Sequence, residues 1–145
     1  MFRNILVATD GLELADKAVE QGLALAGKLG TKVTAVTVTL PWSSTASGEW
    51  PLVFPIDEYE RAATATAGRI LGAVTDKAKA ARVACDTVHV KDQYPAEGIL
   101  DEAKSRSCDL IVMASHGRRG IARLVLGSEA NRIVTHSTIP VLICR

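Results

Sequence analysis

The sequence predicts an α/β domain: a single doubly wound domain whose five-stranded, mostly parallel sheet runs in the order 3-2-1-4-5 with helices on both faces. Three observations predict it. Short apolar or β-branched runs alternate along the chain with stretches of helical period, the pattern of strand-helix-strand crossovers. Within "NILVATDG" and "DLIVMA" the runs Ile5 to Ala8 and Leu110 to Ala114 are apolar without alternation, as strands covered on both faces are. The chain has 145 residues and 48% hydrophobic content, a size that makes one domain and buries a core.

Residues 5–9 read as a buried strand stopped by Asp10 and Gly11. Ala15, Ala18, Val19, Gly22, Ala26 and Leu29 then recur at helical spacing, and Gly30 ends the helix. Residues 32–40, "KVTAVTVTL", are β-branched and give the second strand. A strand, a helix and a strand in this order imply a parallel pair with a right-handed crossover. Residues 41–57, "PWSSTASGEWPLVFPID", hold three of the five prolines and both tryptophans without a clean period, and connections this long tend to serve function or motion. An Ala-rich, charge-flecked helix is expected over residues 58–82, and a third strand over 87–90. Pro95 sits near the start of the next helix, with Ile99, Leu100 and Ala103 turned inward. "DLIVMA" is the fourth strand, "SEANRIVTHS" a short helix with Ala130, Ile133 and Val134 on one face, and "PVLIC" the fifth strand.

Composition excludes several classes of function. Seventeen Lys and Arg against sixteen Asp and Glu leave a net charge of +1, so no global field draws the chain to nucleic acid or acidic lipid. The apolar run before Asp10 is too short for a secretory signal, and no stretch approaches membrane-spanning length. Cys85, Cys108 and Cys144 are odd in number and widely spaced, which reads as small core residues in a reducing cytoplasm.

In an open doubly wound sheet, ligands bind beyond the carboxyl ends of the strands where strand order reverses. With the fourth strand on the far side of the first, "TDG" and "SHG" face each other across that crevice. Asp10 is suited to ribose hydroxyls or to a metal ion carried by phosphate, and equally to capping the next helix. Gly117 and Gly120 free the backbone to bring N–H groups toward an anion. Gly127 and Ser128 sit where the last helix begins, a place of unpaired N–H groups and partial positive charge; Ser128 also reads as a plain N-cap. Arg118, Arg119 and Arg123 put cations beside the loop, though most such arginines form a solvated face. His116 reads as a satisfied loop histidine. "GLALAGKL", from Gly22 to Leu29, matches a P-loop except at its last residue, and lies inside a helix, so it is a coincidence.

These segments resemble the universal stress protein family, in its nucleotide-binding branch. The likeness runs from "NILVATDG" through the long loop and "CDLIVMASHGRRGIARLVLGS" to "IPVLICR", and the third of these is the specific one. The family's ATP motif is Gly, two residues, Gly, nine residues, Gly, then Ser or Thr. Here the spacing holds as Ala114, Ser115 and His116, Gly117, nine residues, Gly127 and Ser128. Ala114 replaces the first glycine and fits only where φ is negative; Leu12 stands where the family often has Ser. The resemblance implies that Asp10 lies near the ribose and a phosphate-bound Mg, that backbone around Val38 meets adenine, and that the segment from Ser115 to Gly117 with Gly127 and Ser128 wraps the triphosphate. It also implies a homodimer paired through the last strand, Pro140 to Cys144, which agrees with the need to cover an apolar edge. The loop aromatics Trp42, Trp50 and Phe54 suit a cover for the adenine end, a partner surface, or an incidental surface.

The expected function is therefore a cytoplasmic ATP-binding regulatory or interaction switch with a protein partner, at most a slow ATPase and not primarily an enzyme. The alternative is a nucleotide-free dimeric interaction module of the same family. Neither reading involves nucleic acid or a membrane.

Overall fold

A computed structural model describes residues 1–45, 55–116 and 125–145. In chain order the elements are β1 (Asn4–Ala8), α1 (Glu13–Leu29), β2 (Lys32–Val38), α2 (Ile56–Ala80), β3 (Cys85–Val90), α3 (Pro95–Ser105), β4 (Leu110–Ala114), α4 (Ser128–His136) and β5 (Val141–Cys144). The strands form one sheet in the order β3-β2-β1-β4-β5. All four pairings are parallel, so the predicted fold class and strand order hold.

The apolar runs of β1 and β4 follow from their central position. Every residue of both strands is buried, because helices cover each face. Side-chain alternation divides the core into two layers. Ile5, Val7 and Val112 face α1 and α2, where Val19, Leu23 and Val74 meet them. Leu6, Ala8, Ile111 and Met113 face α3 and α4, packing on Ile99, Ala103 and Ile133. Burying a side chain such as Ile5 or Ile111 contributes about 1.5–3 kcal/mol, and both are fully buried.

The P-loop lookalike is helix, and its first glycine has a packing reason. A Cβ on Gly22 would stand 2.6 Å from Val7 Cγ2, so the glycine lets α1 lie close on β1.

At the amino-terminal edge of the sheet, Asp109 accepts backbone N–H bonds from Arg3 (2.9 Å) and Asn4 (3.1 Å). Burial raises the Asp109 pKa, but these bonds, one from its own N–H and the Arg3 charge outweigh it and hold the carboxyl below its ordinary 3.8.

Several expectations shift. β1 ends at Ala8 and β2 at Val38, short of the expected 9 and 40, although Thr9 N–H still donates to Val36 O and Thr39 N–H to Val90 O. Pro41 then ends the strand, and Trp42–Thr45 forms a 3-10 turn whose Ser44 and Thr45 hydroxyls donate to Pro41 O and Trp42 O. The helix expected from residue 58 begins at Ile56, since Pro55 with φ −56° is preset to precede it and Asp57 and Glu58 favour its positive end. β3 begins at Cys85 rather than 87, extended by pairing with β2 through polar edge residues that carry no apolar pattern. Val134 is 47% exposed rather than inward, and only Ala130 and Ile133 of α4 are buried. Leu29, at the last turn of α1, is also exposed.

Candidate functional site

The parallel register lines up the expected residues. Ala8 pairs with Val36 across β1 and β2, and Val7 with Val112 across β1 and β4. Continued two and three residues past these last pairs, the same registers would bring Asp10 level with Val38 on one side and Ser115 on the other. Adjacent strands lie about 4.8 Å apart, so this row spans about 10 Å. It stands at the carboxyl ends of β2, β1 and β4, where strand order reverses between β1 and β4.

Asp10 is partly exposed, and its Oδ1 accepts the N–H of Leu12 at 3.0 Å. This is a local Asx turn. The N-cap of α1 is Leu12, with no side-chain cap bond, so Asp10 does not cap the helix in the sense expected. Its second carboxylate oxygen is left outside that turn.

α4 is fastened to the end of β4. Gly127 N–H donates to Ser115 O at 2.8 Å, and a Cβ on Gly127 would fall 2.8 Å from that same oxygen and 3.3 Å from His116 Cα. Only glycine permits this approach. It brings the first turn of α4, with its partial positive charge, beside Ser115 and therefore beside the Asp10 row. Gly127 is itself the N-cap, which removes the N-cap reading of Ser128; Ser128 is the first helical residue and its side chain is exposed to solvent. Glu129 is turned away to the neighbouring helix, accepting Ala96 N–H at 2.8 Å, and Arg132 reaches Glu97 at 3.2 Å. The acid of the first turn is thus held at the start of α3.

Ser115 is buried, and its N–H donates to Cys144 O at 2.9 Å. Its hydroxyl shares a 3.0 Å bond with His116 Nδ1, so the histidine is satisfied by a side chain rather than by backbone. Gly117, Gly120, Arg118, Arg119, Arg123, Trp50 and Phe54 lie outside the described residues.

The model for the universal stress protein family matches residues 1–145. The chain belongs to that family. A universal stress protein of Bacillus subtilis, YxiE, is 31% identical over 149 residues and is covered in full, as is this chain. The solved structure of the hypothetical protein MJ0577 is similar with a TM-score of 0.82 at 23% identity, over 99% of this chain and 96% of that one. A solved universal stress protein in complex with cAMP is similar with a TM-score of 0.73 at 23% identity, over 99% and 97% of the two chains.

Against the family's ATP motif, the departure at Ala114 has a definite geometry. Ala114 ends β4 and is not among the non-glycine residues with positive φ, which are Arg82, Asp92 and Ser107 among those described. Its methyl belongs to the layer under α1 and α2, the face opposite α4. The extra carbon therefore points away from the crevice between β4 and α4.

Two features were not foreseen from the sequence. A cavity of about 110 Å³ opens at the carboxyl ends of β2 and β3, lined by Thr39, Trp42, Tyr59, His89 and Lys91 among others, two strands away from β4. There His89 Nε2 meets Thr39 Oγ1 at 2.7 Å, and burial, then the Lys91 charge, lowers the imidazole pKa below 6.5. The second is a buried side-chain acceptor on Gln93, beside Val38. Cavity shape and buried orphans are tertiary properties that residue spacing does not carry.

No group of three or more His, Cys, Asp or Glu among the described residues stands ready to hold a metal ion. The remaining oxygen of Asp10 fits a magnesium ion that arrives on phosphates, not one held by side chains alone. No described helix is long and apolar enough to cross a membrane. Cys108 and Cys144 are buried, and Cys85 is half-buried.

Proposed function

We propose that the chain binds ATP, with magnesium carried on the phosphates, at the carboxyl ends of β1 and β4, and works in the cytoplasm as a nucleotide-dependent regulatory or interaction switch. One observation carries the reading: β2, β1 and β4 run parallel and lead into Val38, Asp10 and Ser115 at the same end of the sheet, where Gly127 fastens the first turn of α4 to Ser115. In this reading the base lies at Val38, the ribose and the metal at Asp10, and the phosphates against α4, where Ser128 offers its hydroxyl. The outward-turned methyl of Ala114 leaves the crevice open to them. The cAMP bound by a protein of the same fold supports an adenine nucleotide as the ligand. Turnover is slow in this reading, because the free oxygen of Asp10 is given to the metal and no P-loop lysine stands among the described residues at the site to stabilise the leaving phosphate.

The active form is a homodimer through β5. That strand is a sheet edge. Pro140 O and Cys144 O accept from β4, so the alternate residues Val141 and Ile143 turn their N–H and C=O outward, free to pair with a two-fold copy.

A second reading, a dimeric interaction module without nucleotide, is favoured by one observation. The N–H groups of Ser115 and Gly127 are already donated within the chain, which removes two donors a phosphate would use.

The test is to denature freshly purified protein and identify any released nucleotide, then titrate magnesium-ATP into stripped wild type, Asp10→Ala and Ser128→Ala. Bound ATP, or submillimolar binding that both substitutions weaken, supports the switch. Neither retained nor bound nucleotide leaves the interaction module.

A further inference from the structure

We propose that Gln93 selects the base, accepting a hydrogen bond from the 6-amino group of a purine and so favouring adenine over 6-keto purines. The proposal rests on the nucleotide reading above and names the residue that sets its specificity.

Gln93 Oε1 is buried and has no hydrogen-bond partner among the described residues. Buried acceptors are almost always paired, so an orphan calls for a reason. Thr31 Oγ1 shares this condition, but it lies in the turn between α1 and β2, at the opposite end of the sheet from the crevice. Gln93 lies at the ligand end, between β3 and α3, with its N–H directed at Thr39 O.

The location of the amide is fixed by its neighbours. A Cβ placed on Gly98 would come within 3.3 Å of Gln93 Oε1, 3.2 Å of Val38 Cγ2 and 3.1 Å of Val90 Cγ1. The acceptor therefore lies over the ends of β2 and β3, on the face that carries α3, Ala8 and Met113. Val38 is one strand from Asp10, so a nucleotide whose ribose meets Asp10 directs its base to this side. The neighbours that share this place, Val38 and Val90, are aliphatic, which suits a flat ring bearing one exocyclic donor. Gln93 as a whole is only half-buried, and rotation about its side-chain bonds brings the oxygen to the base edge. An adenine amino group would satisfy the orphan with the amide as it stands, whereas a keto oxygen at the same ring position would oppose it unless the amide turned over to present Nε2. Sites built on a buried polar group reject the analogue that leaves that group unpaired.

The experiment compares magnesium-ATP with magnesium-ITP, which differ at the purine 6 position, in stripped wild type, Gln93→Met and Gln93→Glu. Methionine keeps the length and removes the acceptor; glutamate keeps an acceptor that cannot turn over to donate. Wild type is expected to prefer ATP by about tenfold, the worth of one buried acceptor left unpaired. Gln93→Met brings the two affinities to within about threefold by losing ATP binding, Gln93→Glu keeps the preference, and Gln93→Met melts no lower than wild type because it removes an orphan. Equal binding of ATP and ITP by wild type, or a preference that survives in Gln93→Met, overturns the assignment while leaving nucleotide binding intact. Binding of neither by wild type overturns the nucleotide reading itself, and this assignment with it.

Discussion

Gly127→Ala tests the contact on which the site is built. The backbone dihedral at Gly127, φ −58°, is open to alanine, so the effect of the substitution comes from contact alone. The new methyl would lie 2.8 Å from Ser115 O and 3.3 Å from His116 Cα, both backbone atoms that no rotamer change can move. Relief requires α4 to lift from the end of β4, stretching the 2.8 Å bond from Gly127 N–H to Ser115 O. Forced overpacking costs about 1–3 kcal/mol, and the hydrogen bond adds about 0.5–1.5 kcal/mol. The reduced freedom of the unfolded chain returns about 0.4–1 kcal/mol, leaving a net loss of about 2–3 kcal/mol. In a domain of this size each kcal/mol moves the melting temperature by about 2–4 °C, so a fall of about 5–10 °C is expected. Thermal melts followed by circular dichroism read it directly. Gly68→Ala and Gly72→Ala in α2, where nothing lies within 4 Å of the added carbon, are the controls and should melt slightly higher. A Gly127→Ala protein that melts within about 1 °C of wild type would refute the argument that only glycine fits between α4 and β4.

Gly22→Ala places a carbon 2.6 Å from Val7 Cγ2 and should cost about 1–3 kcal/mol in urea unfolding; adding Val7→Ala should give a double variant more stable than the two single losses sum to, and strict additivity would show that the two do not touch. Asp109 is held below its ordinary 3.8, so the unfolded chain takes up its proton first as the medium is acidified. Its stabilisation is complete above about pH 4 and is lost as pH falls through its lowered folded value. Asp109→Asn should therefore be less stable than wild type at pH 7 and converge on it as acid takes the pH below the lowered folded value, and a gap independent of pH would sink this account. Leu142 is 39% exposed on the edge strand, and Leu142→Lys should turn a dimer into a monomer in sedimentation without lowering the melting temperature by more than a few degrees. A variant that remains dimeric would remove β5 from the interface.

The sheet was legible because its signal is one of period and composition. Residues buried from both sides are apolar unless paired: β4 obeys this over every residue, and β1 over all but Asn4, whose amide donates to Arg106 O and accepts from Thr34 Oγ1. Boundaries were less legible where polar residues complete a ladder, as Cys85 and Asp86 do opposite Val33 and Thr34. α4 misled at Val134 because, in a nine-residue helix, a difference of one position decides which side chains reach the sheet. The glycines near the site were visible as motif positions, but the reason for Gly127 lies in Ser115 O, twelve residues away and folded back against it. Asp10 and Ser115 were expected to face each other, in "TDG" and "SHG", because strand order alone brings the ends of β1 and β4 together. Gln93 left no trace in the sequence, since an unpaired acceptor is defined by what fails to surround it.

The backbone of Ser115 gives the switch reading a physical route. Its carbonyl receives Gly127 N–H from the start of α4, and its N–H donates to Cys144 O at the end of β5. The two peptide groups that flank one Cα, that of Ser115, therefore touch the proposed phosphate site and the end of the proposed dimer strand. A triphosphate that draws α4 toward itself pulls on the same residue whose N–H holds the end of β5. Binding and dimerisation coupled this way must be reciprocal, because linkage requires ATP to change the dimer dissociation constant by the factor accumulated when both subunits' ATP affinities change on dimerisation. A coupling of typical size, about 1–3 kcal/mol, is a factor of about 5–150. Sedimentation equilibrium with and without saturating magnesium-ATP measures one arm, and calorimetric titration above and below the dimer constant measures the other. Matching factors greater than one would establish the switch, whereas tight ATP binding with an unchanged dimer constant would make the nucleotide a structural ligand rather than a signal to the dimer.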